Sequence, residues 1–425
     1  MLDIKWIRQH QAEVQVAADR KGIPVSIAQL VEQDDHRRML LQEVERLRQD
    51  RNRISQEIET FLREGELQQA EQRKQLGQEI GRRLSGVEKE HQAVQKQVNQ
   101  LMMYVPNVVS PDTPIGLSDQ DNVEVKRAGE PTAFPFEPKD HVTLGELHHM
   151  IDIPRGVKTA GSRNYYLAGA GAILHRAVQQ LSLDLLVAKG FTLLEVPLMV
   201  RTEALFHTGY FPIGQEQTYR MAEDDKWLVG TSEVPLVAYY DNEIVDVTEP
   251  IRLAAVSLCF RNEVGSAGKD VHGLYRVHQF SKVEQVVVCE DSLEQAEQLF
   301  QEITANAEEV LTMLELPYRI MAVCTGDMSQ KTYKQVDIET WMPSRQAYGE
   351  THSSSNLLDF QARRSNIRYR DNNGKVRFCY TLNNTAVASP RILIPLLENH
   401  QEEDGSIRIP HALRKYMNGR ERLRP

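Results

Sequence analysis

The sequence predicts an α+β protein in which a two-helix N-terminal arm precedes a larger domain of strands and helices. Three observations support this fold class. Apolar residues follow a heptad rhythm between about 40 and 101, an irregular segment with prolines follows, and short β-rich runs then alternate with amphipathic segments. Because 425 residues exceed one typical hydrophobic core, at least two domains are expected.

The arm is predicted from two apolar series with steps of four and three residues. A polar segment containing Gly65 separates them, which is typical of two helices joined at a tip as an antiparallel hairpin. The first series is Leu40, Val44, Leu47, Ile54, Ile58 and Phe61, with Arg51 in the gap. The second series is Leu76, Ile80, Leu84, Val87, His91, Val94, Val98 and Leu101. Each helix offers a narrow apolar stripe, so each should be stable mainly through the other.

The charges of the arm leave its role open. Several cations lie off the apolar stripes, where they could contact phosphates or pair with neighbouring glutamates. They are Arg46, Arg48, Arg53, Arg73, Lys74, Arg82, Arg83, Lys89 and Lys96. The net charge of −10 does not exclude an RNA partner, because a local basic stripe can hold RNA on an acidic protein. Heptads alone fit a spacer or a dimerisation element equally well.

The arm is expected to end near Tyr104. The segment that starts there, YVPNVVSPDTPIGLSDQDN, contains three prolines and shows no helical period. We therefore divide the chain into an N-terminal domain at 1–104, a linker at 105–130 and a larger domain at 131–425. In the larger domain FTLLEVPLMV, LAAVSLCF, KVEQVVVCE and YRIMAVC are typical of strands. The segments AILHRAVQQLSLDLLVAKG and SLEQAEQLFQEITANAEEVLTML are typical of amphipathic helices.

Several classes of protein find no support in the sequence. The N-terminus lacks the apolar run of a signal peptide, and no stretch of about 18 uncharged apolar residues occurs. The four cysteines are far apart, so neither a zinc knuckle nor a disulfide framework is indicated. These observations favour a cytoplasmic protein without a membrane segment. Neither a Rossmann fingerprint nor a P-loop sequence is present, so any nucleotide must be bound in another way.

The densest group of chemically useful residues is CFRNEVGSAGKDVHGLYRVHQFSKVEQ. We expect Arg261 and Glu263 on one strand, and Arg276, Phe280 and Glu284 on a second, because even spacing keeps residues on one face. Arginines suit a polyphosphate, an aromatic ring suits a purine, and carboxylates suit an ammonium or a hydroxyl. Such a hairpin could hold ATP without a P-loop.

This segment resembles a known family. FRNEVGSAG and YRVHQF resemble motif 2 of class II aminoacyl-tRNA synthetases, and in detail that of seryl-tRNA synthetases of the bacterial type. FTLLEVPLMV resembles motif 1, and GTSEVPLVAYY resembles the serine-binding loop. TGDM, ETHSSSNLLDFQARRSNIRYR and EDGSIRIPHALRKYM resemble later segments of the family. The resemblance covers almost the whole chain, including the arm.

The resemblance implies a catalytic domain with an antiparallel β-sheet flanked by helices, behind a coiled-coil arm that binds tRNA. It implies a ligase that activates L-serine with ATP to seryl-adenylate and transfers serine to tRNA(Ser), and also to tRNA(Sec). Mg²⁺ with the ATP, a homodimer formed through the helix and strand at about 172–200, and a cytoplasmic location are implied as well.

The family's ATP site carries over onto matching positions of this sequence. The implied ATP contacts are Arg261, Asn262, Glu263, Arg276, Val277, Phe280, Glu350, Thr351, His352, Ser353 and Arg391. Arg261, Arg276 and Arg391 are the implied catalytic residues, because fixed guanidinium groups stabilise charge that grows during phosphoryl attack. Glu350 and Ser353 match the metal ligands, and their hard oxygens suit Mg²⁺.

The serine site carries over in the same way. The implied serine contacts are Thr231, Ser232, Glu233, Arg261, Glu284, Asn383 and Thr385. Thr231 and Glu233 match residues around the α-amino group, and Glu284 matches the acceptor of the side-chain hydroxyl. Glu263 is implied to receive the adenine amino group and Phe280 to stack on the ring.

Motif 3 departs from the family pattern. The family commonly has TLNGSGLAVGR, whereas this chain has TLNNTAVASPR, with Asn384, Ala386 and Pro390 in place of glycines. Pro390 has no N–H and biases Ser389 toward an extended conformation, which predicts a local change of turn before Arg391. In the motif 2 loop, Lys269 and His272 occupy positions where arginine is frequent, which could alter contacts with the acceptor stem.

Three other readings stay open at this point. The chain could be an inactive synthetase relative that binds tRNA or another partner through its arm, but then loss of ATP ligands is expected. It could be an amino-acid ligase that acts on a carrier protein, although such a ligase is expected to lack a long arm. It could also be a second seryl-tRNA synthetase that gives resistance to a serine-mimicking antibiotic.

Overall fold

The computed structural model describes residues 1–264 and 272–425. The prediction made for Lys269 in the motif 2 loop lies outside the described residues. The chain divides into two compact units, which we call the arm unit and the sheet unit. The arm unit comprises Asp3–Asp19 and Ile23–Val105, and the sheet unit comprises Met1–Leu2, Arg20–Gly22 and Pro106–Pro425.

The α-helices of the described residues fall in both units. In the arm unit they are α1 (Ile4–Gln9), α2 (Gln11–Arg20), α3 (Ile27–Arg63) and α4 (Leu67–Tyr104). In the sheet unit they are α5 (His141–Leu147), α6 (Ile153–Ala160), α7 (Gly169–Ala188), α8 (Thr202–His207), α9 (Glu233–Ala238), α10 (Leu293–Met313), α11 (Phe360–Ser365) and α12 (Leu393–Asn399). None of the helices described here is long and apolar enough to cross a membrane.

The predicted two-helix arm is confirmed by α3 and α4, which pack against each other along the apolar seam. Val44, Leu47 and Ile54 of α3 and Leu84 and Val98 of α4 are buried. Ser26 caps α3 by accepting a hydrogen bond from the Gln29 amide, and Gly65 at the tip has a φ of 79°. A positive φ favours glycine, so this residue type suits the turn between the helices.

The arm differs from its prediction at the ends of the second series. Leu76 is 38% exposed, and Met102 rather than its neighbour Leu101 is buried at the base of α4. Because an α-helix has 3.6 residues per turn, a strict seven-residue repeat gradually rotates away from the seam along a long helix. Near the end of α4 the neighbouring residue therefore occupies the buried position that the repeat predicts for Leu101.

The strands lie in the sheet unit. They are β1 (Val123–Ala128), β2 (Ile151–Asp152), β3 (Tyr166–Leu167), β4 (Thr192–Leu193), β5 (Met199–Arg201), β6 (Lys226–Leu228), β7 (Ile251–Phe260), β8 (Gln279–Cys289), β9 (Tyr318–Ala322), β10 (Lys334–Met342), β11 (Ala347–Asn356), β12 (Arg368–Arg370), β13 (Val376–Phe378), β14 (Tyr380–Ser389), β15 (Ile407–Arg408) and β16 (Arg422–Leu423).

An eight-stranded sheet in the order β1-β9-β10-β11-β14-β8-β7-β4 organises the sheet unit. Its pairs are antiparallel except for the parallel pair of β4 with β7 at one edge. This sheet with its flanking helices confirms the predicted α+β fold. FTLLEVPLMV, which we expected to be one strand, forms parts of β4 and β5 instead. Pro197 between them cannot donate to a ladder, and the two strands join different sheets.

The alternation along β8 shows how the sheet separates its core from its site. Val283 and Val287 point into the main core, where residues of α7 and α10 such as Val178 and Ile303 are fully buried. Phe280, Glu284 and Val286 alternate with them along the strand and face the opposite side, because successive strand side chains alternate. Phe280 and Glu284 therefore share the face away from the main core, where Val286 and Val288 join a second, smaller hydrophobic cluster.

Candidate active site

The β7–β8 hairpin carries the segment that resembles motif 2. The strands pair as far as Phe260 opposite Gln279, and Arg261 lies just beyond the end of β7. The expectation that Arg261, Glu263 and Arg276 lie on strands is therefore wrong. Glu263 has a φ of 53°, a left-handed conformation that a strand does not allow, so the chain leaves the ladder at this point.

A cavity of about 360 Å³ lies against this hairpin. Most of the site residues predicted from the sequence line this cavity, and they come from four separate segments of the chain. The predicted residues that line it are Glu233, Arg261, Glu263, Arg276, Val277, Phe280, Glu284, Glu350, Thr351, His352, Ser353, Asn383, Thr385 and Arg391. Three predicted residues, Thr231, Ser232 and Asn262, do not line it.

The three residues outside the cavity have structural contacts. The Thr231 hydroxyl accepts a hydrogen bond from the Glu233 amide at 3.2 Å and so helps to fix the start of α9. Ser232 precedes that helix and is buried. Asn262 is exposed, and its side-chain amide donates to the Glu216 carbonyl at 3.1 Å. Of these, only the Thr231 contact reaches a residue that faces the cavity.

Three arginines line the cavity. The Arg261 guanidinium lies 5.2 Å from the centre of the Phe280 ring, and Arg276 lies 3.6 Å from a Glu263 carboxylate oxygen. Arg391 donates to the backbone oxygens of Tyr275 at 3.0 Å and Glu350 at 3.2 Å. Three guanidinium groups around one space can bind a polyphosphate, and the ring provides a surface for a base.

The altered motif 3 keeps Arg391 in the cavity. The Ser389–Pro390 peptide is cis at the end of β14, and Arg391 follows directly. Asn384, where the family commonly has glycine, points to the other face of the sheet. Its side-chain amide donates to Ser354 Oγ at 2.6 Å, and its oxygen accepts from Gln285 Nε2 at 2.6 Å. This residue is therefore part of a buried polar network rather than of the cavity.

Carboxylates and a hydroxyl meet where β10 pairs with β11. Ser353 stands opposite Asp337, and Glu350 stands opposite Glu339. Burial and the nearby Glu350 carboxylate raise the pKa of Asp337 to about 8. Burial lowers the pKa of the neighbouring His352 to about 3, so this imidazole is neutral near pH 7. Hard oxygens whose charges repel each other are a donor set that suits a divalent cation.

Glu284 also lines the cavity and is only 2% exposed. Lys282 Nζ lies 2.7 Å from one of its carboxylate oxygens, and the Thr385 hydroxyl donates to the same oxygen at 3.4 Å. Burial raises the pKa of Glu284, and the adjacent Lys282 ammonium opposes that shift. The other carboxylate oxygen of Glu284 can accept a hydrogen bond from a ligand.

Glu233 is a second buried carboxylate in the cavity, and four donors surround it. Its Oε1 atom accepts from Lys331 Nζ at 2.5 Å, Gln361 Nε2 at 2.7 Å and Asn383 Nδ2 at 3.0 Å. Its Oε2 atom accepts from the Tyr210 hydroxyl at 2.6 Å. Burial opposes the charge of Glu233, but Lys331 and these donors prevail and lower its pKa. The carboxylate is therefore ionised near neutral pH.

Tyr210, Lys282 and Lys331 also line the cavity, although none of them was predicted from the sequence. Lys282 could have been found, because it lies two residues from both Phe280 and Glu284 and shares their strand face. Tyr210 and Lys331 come from loops distant in the chain, and no local pattern marks them.

Comparisons with known proteins agree with this geometry. Residues 1–109 match the family model of the seryl-tRNA synthetase N-terminal domain, and residues 217–400 match that of the class II synthetase core domain for G, H, P, S and T. The serine–tRNA ligase of Deinococcus radiodurans is 42% identical over 100% of this chain and 99% of its own. That of Rubrobacter xylanophilus is 40% identical with the same coverage.

Solved structures give the same result. The seryl-tRNA synthetase of Pyrococcus horikoshii, complexed with ATP, superposes with a TM-score of 0.93 at 36% identity, and each chain is covered completely. The cytoplasmic serine–tRNA ligase of Naegleria fowleri, in complex with AMP, gives 0.88 at 26% identity over 100% of this chain and 99% of its own. With two family models and relatives about 40% identical over the whole chain in agreement, this chain belongs to the seryl-tRNA synthetase family.

Proposed function

We propose that this protein activates L-serine with ATP to seryl-adenylate and then transfers serine to tRNA(Ser), and also to tRNA(Sec). The observation that carries this proposal is a single cavity lined both by Arg261, Arg276 and Arg391 and by the buried carboxylates Glu233 and Glu284. The arginines suit the phosphates of ATP, and the carboxylates suit a small amino acid with a hydroxyl.

In the activation step, a serine carboxylate oxygen attacks the α-phosphorus of ATP. The bond from that phosphorus to the bridging oxygen breaks, and pyrophosphate leaves with the electron pair. Arg261, Arg276 and Arg391 are the proposed catalytic residues because their guanidinium groups are held in place before the negative charge moves. Phe280 and Glu263 are proposed to receive the adenine base, the first by stacking and the second by accepting its amino hydrogens.

The proposed serine contacts follow the buried acceptors. Glu233, held by its donors in the ionised form, suits the α-ammonium group, and Glu284 suits the hydroxyl. Asn383 and Thr385 contact these two carboxylates and would close the pocket around the substrate. Thr231 and Ser232 are proposed to act through the position of Glu233 at the start of α9.

Mg²⁺ is proposed at Glu350 and Ser353, and the residues present fit it. Burial and the nearby Glu350 carboxylate raise the pKa of Asp337, and a divalent cation beside them would favour its ionised form. When bound, the metal would neutralise charge on the phosphates of ATP.

The arm is proposed to bind tRNA, and α4 has a surface that suits this role. Six of the nine off-seam cations pair with carboxylates; they are Arg46, Arg48, Arg53, Arg73, Lys74 and Arg83. Arg82, Lys89 and Lys96 are exposed and have no ion pair in the part of the chain that the structure describes. Residues seven apart lie on one face of a helix, so these three form a stripe about 21 Å long. Unpaired cations along one face suit a phosphate backbone.

We further propose the division into residues 1–104, 105–130 and 131–425, a cytoplasmic location, and a homodimer formed through residues 172–200. Val187, Leu193 and Met199 lie in that segment and expose between 43% and 52% of their surface. An apolar surface of this kind suits a two-fold interface. Mass measurement in solution tests the dimer, and a monomer that charges tRNA at full rate would contradict it.

The proposed function is tested by pyrophosphate exchange with each amino acid, followed by charging of purified tRNA. Serine should support exchange, and alanine and threonine should not. Alanine leaves Glu284 without its hydroxyl partner, and threonine adds a methyl group in a closed pocket. If a different amino acid supports pyrophosphate exchange in place of serine, or if no amino acid does, the proposal is wrong. Transfer to a carrier protein instead of tRNA would support the alternative ligase.

A further inference from the structure

The cavity contains a cation of the chain itself at the place proposed for the substrate's ammonium group. Lys331 lies in the loop between β9 and β10, and its side chain is 9% exposed. Its Nζ atom reaches Glu233 Oε1 at 2.5 Å and lies 3.9 Å from the centre of the Tyr210 ring. A primary ammonium on a carboxylate beside an aromatic face is also how a free amino acid would bind there.

The oxygen that Lys331 contacts has no room for a further donor. A carboxylate oxygen offers about two lone pairs, and Glu233 Oε1 already accepts from three nitrogens. A substrate ammonium can bind this oxygen only if one of the three donors leaves.

Lys331 is the donor that can leave. Gln361 also donates to the Thr208 carbonyl at 2.9 Å and accepts from the Thr381 hydroxyl at 2.8 Å, which fixes its amide. Asn383 lies on β14, inside the large sheet. The Lys331 ammonium has no hydrogen-bond acceptor besides Glu233 within the described ranges, and it ends a flexible side chain on a loop. Of the three donors, Lys331 therefore has the most freedom to move away from Glu233.

We propose that Lys331 is an internal competitor for the amino-acid ammonium, which it replaces on Glu233 in the empty site and from which serine displaces it. This inference rests on the proposed function, in which Glu233 receives the α-ammonium of serine. The exchange replaces one ammonium by another on Glu233, so this carboxylate keeps a cationic partner throughout. A ligand without an ammonium cannot make this exchange, so Lys331 would raise selectivity for amino acids at the cost of weaker serine binding.

The test is the Lys331→Met variant in serine-dependent pyrophosphate exchange near pH 8, where Glu233 should stay ionised. Methionine has a similar length and can keep the contact with Tyr210, but it cannot donate. The KM for serine should fall about tenfold, the effect of one charge-assisted hydrogen bond that no longer has to be broken. The kcat should change by less than about twofold, because Lys331 takes no part in the chemical step.

Lys334→Met is the matched control. Lys334 lies three residues further along and pairs with Asp112 and Glu297, outside the cavity. Its substitution should leave the KM for serine unchanged. Lys331→Gln, which keeps a neutral donor, should give an intermediate KM, and it replaces Lys331→Met if that variant does not fold.

A second measurement separates competition from simple loss of volume. The inhibition constant of 3-hydroxypropanoate, which is serine without its amino group, should be the same in Lys331→Met and the wild type. If the variant binds both ligands more tightly, Lys331 only fills space, and the inference is wrong. If the KM for serine rises and the kcat falls, Lys331 positions Glu233, and the inference is also wrong. If the wild-type protein does not activate serine at all, the proposed function has failed instead.

Discussion

The arm and the cavity use charged side chains in opposite ways. On the arm, Arg46 and Arg53 are more than half exposed and pair with carboxylates three residues earlier on the same helix. In the cavity, Lys331 is buried and pairs with Glu233, which is 98 residues away in the sequence. Exposed pairs contribute little to stability and are screened by salt, whereas removing one partner of a buried pair costs about 3–5 kcal/mol.

This difference predicts which property of the protein the charges of each region control. Charges on the arm can be changed almost independently, and their effect on a charged partner should depend on ionic strength. Charges in the cavity are coupled, because Glu233 and Glu284 contribute to the electrostatics of the same lysines. We therefore expect the arm to set the affinity for tRNA and the cavity to set the choice of amino acid.

The largest effect is expected from removal of the arm. Deletion of Asp35 to Leu101, with a short linker that joins the ends, should leave serine-dependent pyrophosphate exchange nearly intact and abolish charging of tRNA. The cavity residues all lie outside the deleted segment. A deletion variant that charges tRNA normally would show that the hairpin is only structural. A variant that loses exchange as well would show that the two regions are not separable.

The next effect concerns Glu284 in the proposed serine pocket. Glu284→Ala removes a charge-assisted hydrogen bond worth about 1.5–3 kcal/mol, so serine activation should fall about tenfold to a few hundredfold. The KM for ATP should change little, because the contacts of Glu284 are with Lys282 and Thr385 rather than with the arginines. Kinetics of pyrophosphate exchange measure both quantities, and discrimination against alanine should fall in parallel.

Two controls make the Glu284 result interpretable. Glu290→Ala alters an exposed glutamate directly after the same strand and should leave the kinetics unchanged. Glu284→Gln keeps the shape of the side chain beside Lys282, so the thermal stability of both variants shows how much of the loss comes from an unpaired lysine. Wild-type serine kinetics in a folded Glu284→Ala protein would remove Glu284 from the serine pocket.

The comparison also explains what the sequence could and could not predict. The buried seam of the arm followed from a local repeat, and the common face of Phe280 and Glu284 followed from the period of a strand. The loop positions of Arg261 and Glu263 were missed because pairing, not spacing, decides where a strand ends. Lys331 was missed because its partner Glu233 is distant in the chain, and no local pattern records such a contact.

A smaller effect is expected from the unpaired stripe on α4. Replacing Arg82, Lys89 and Lys96 by alanine should raise the Kd for tRNA and reduce the slope of log Kd against log salt by about 2–3, if each cation contacts one phosphate. Filter binding at several salt concentrations measures this slope. Serine activation without tRNA should not change.

The matched control for the stripe is a second triple variant on the same arm. Arg46, Arg53 and Arg63 have carboxylate partners three or four residues away on α3, so their replacement by alanine should reduce the slope less. Equal reductions in both variants would show that only the total charge of the arm matters, and not its unpaired cations.

The smallest effect is expected at Asp337, which stands opposite Ser353 beside the proposed Mg²⁺ site. The pKa of Asp337 rises from its ordinary value of 3.8 to about 8 in the folded protein. Protonation of this carboxyl therefore stabilises the folded state fully below pH 3.8, and this stabilisation is lost as the pH rises toward about 8. Between about pH 5 and pH 9, the melting temperature of the wild type should therefore fall relative to that of Asp337→Asn, by roughly 2 °C or more. Mg²⁺ with ATP should reduce this difference, because a bound cation compensates the carboxylate charge.

Asp246→Asn is the control, since the hydrogen bonds from Thr248 lower the pKa of Asp246 and leave it ionised across the whole range in both states. If the difference in melting temperature between the wild type and Asp337→Asn is the same at every pH, the pKa of Asp337 is not raised by folding. The proposed cation beside Glu350 would then lose this support.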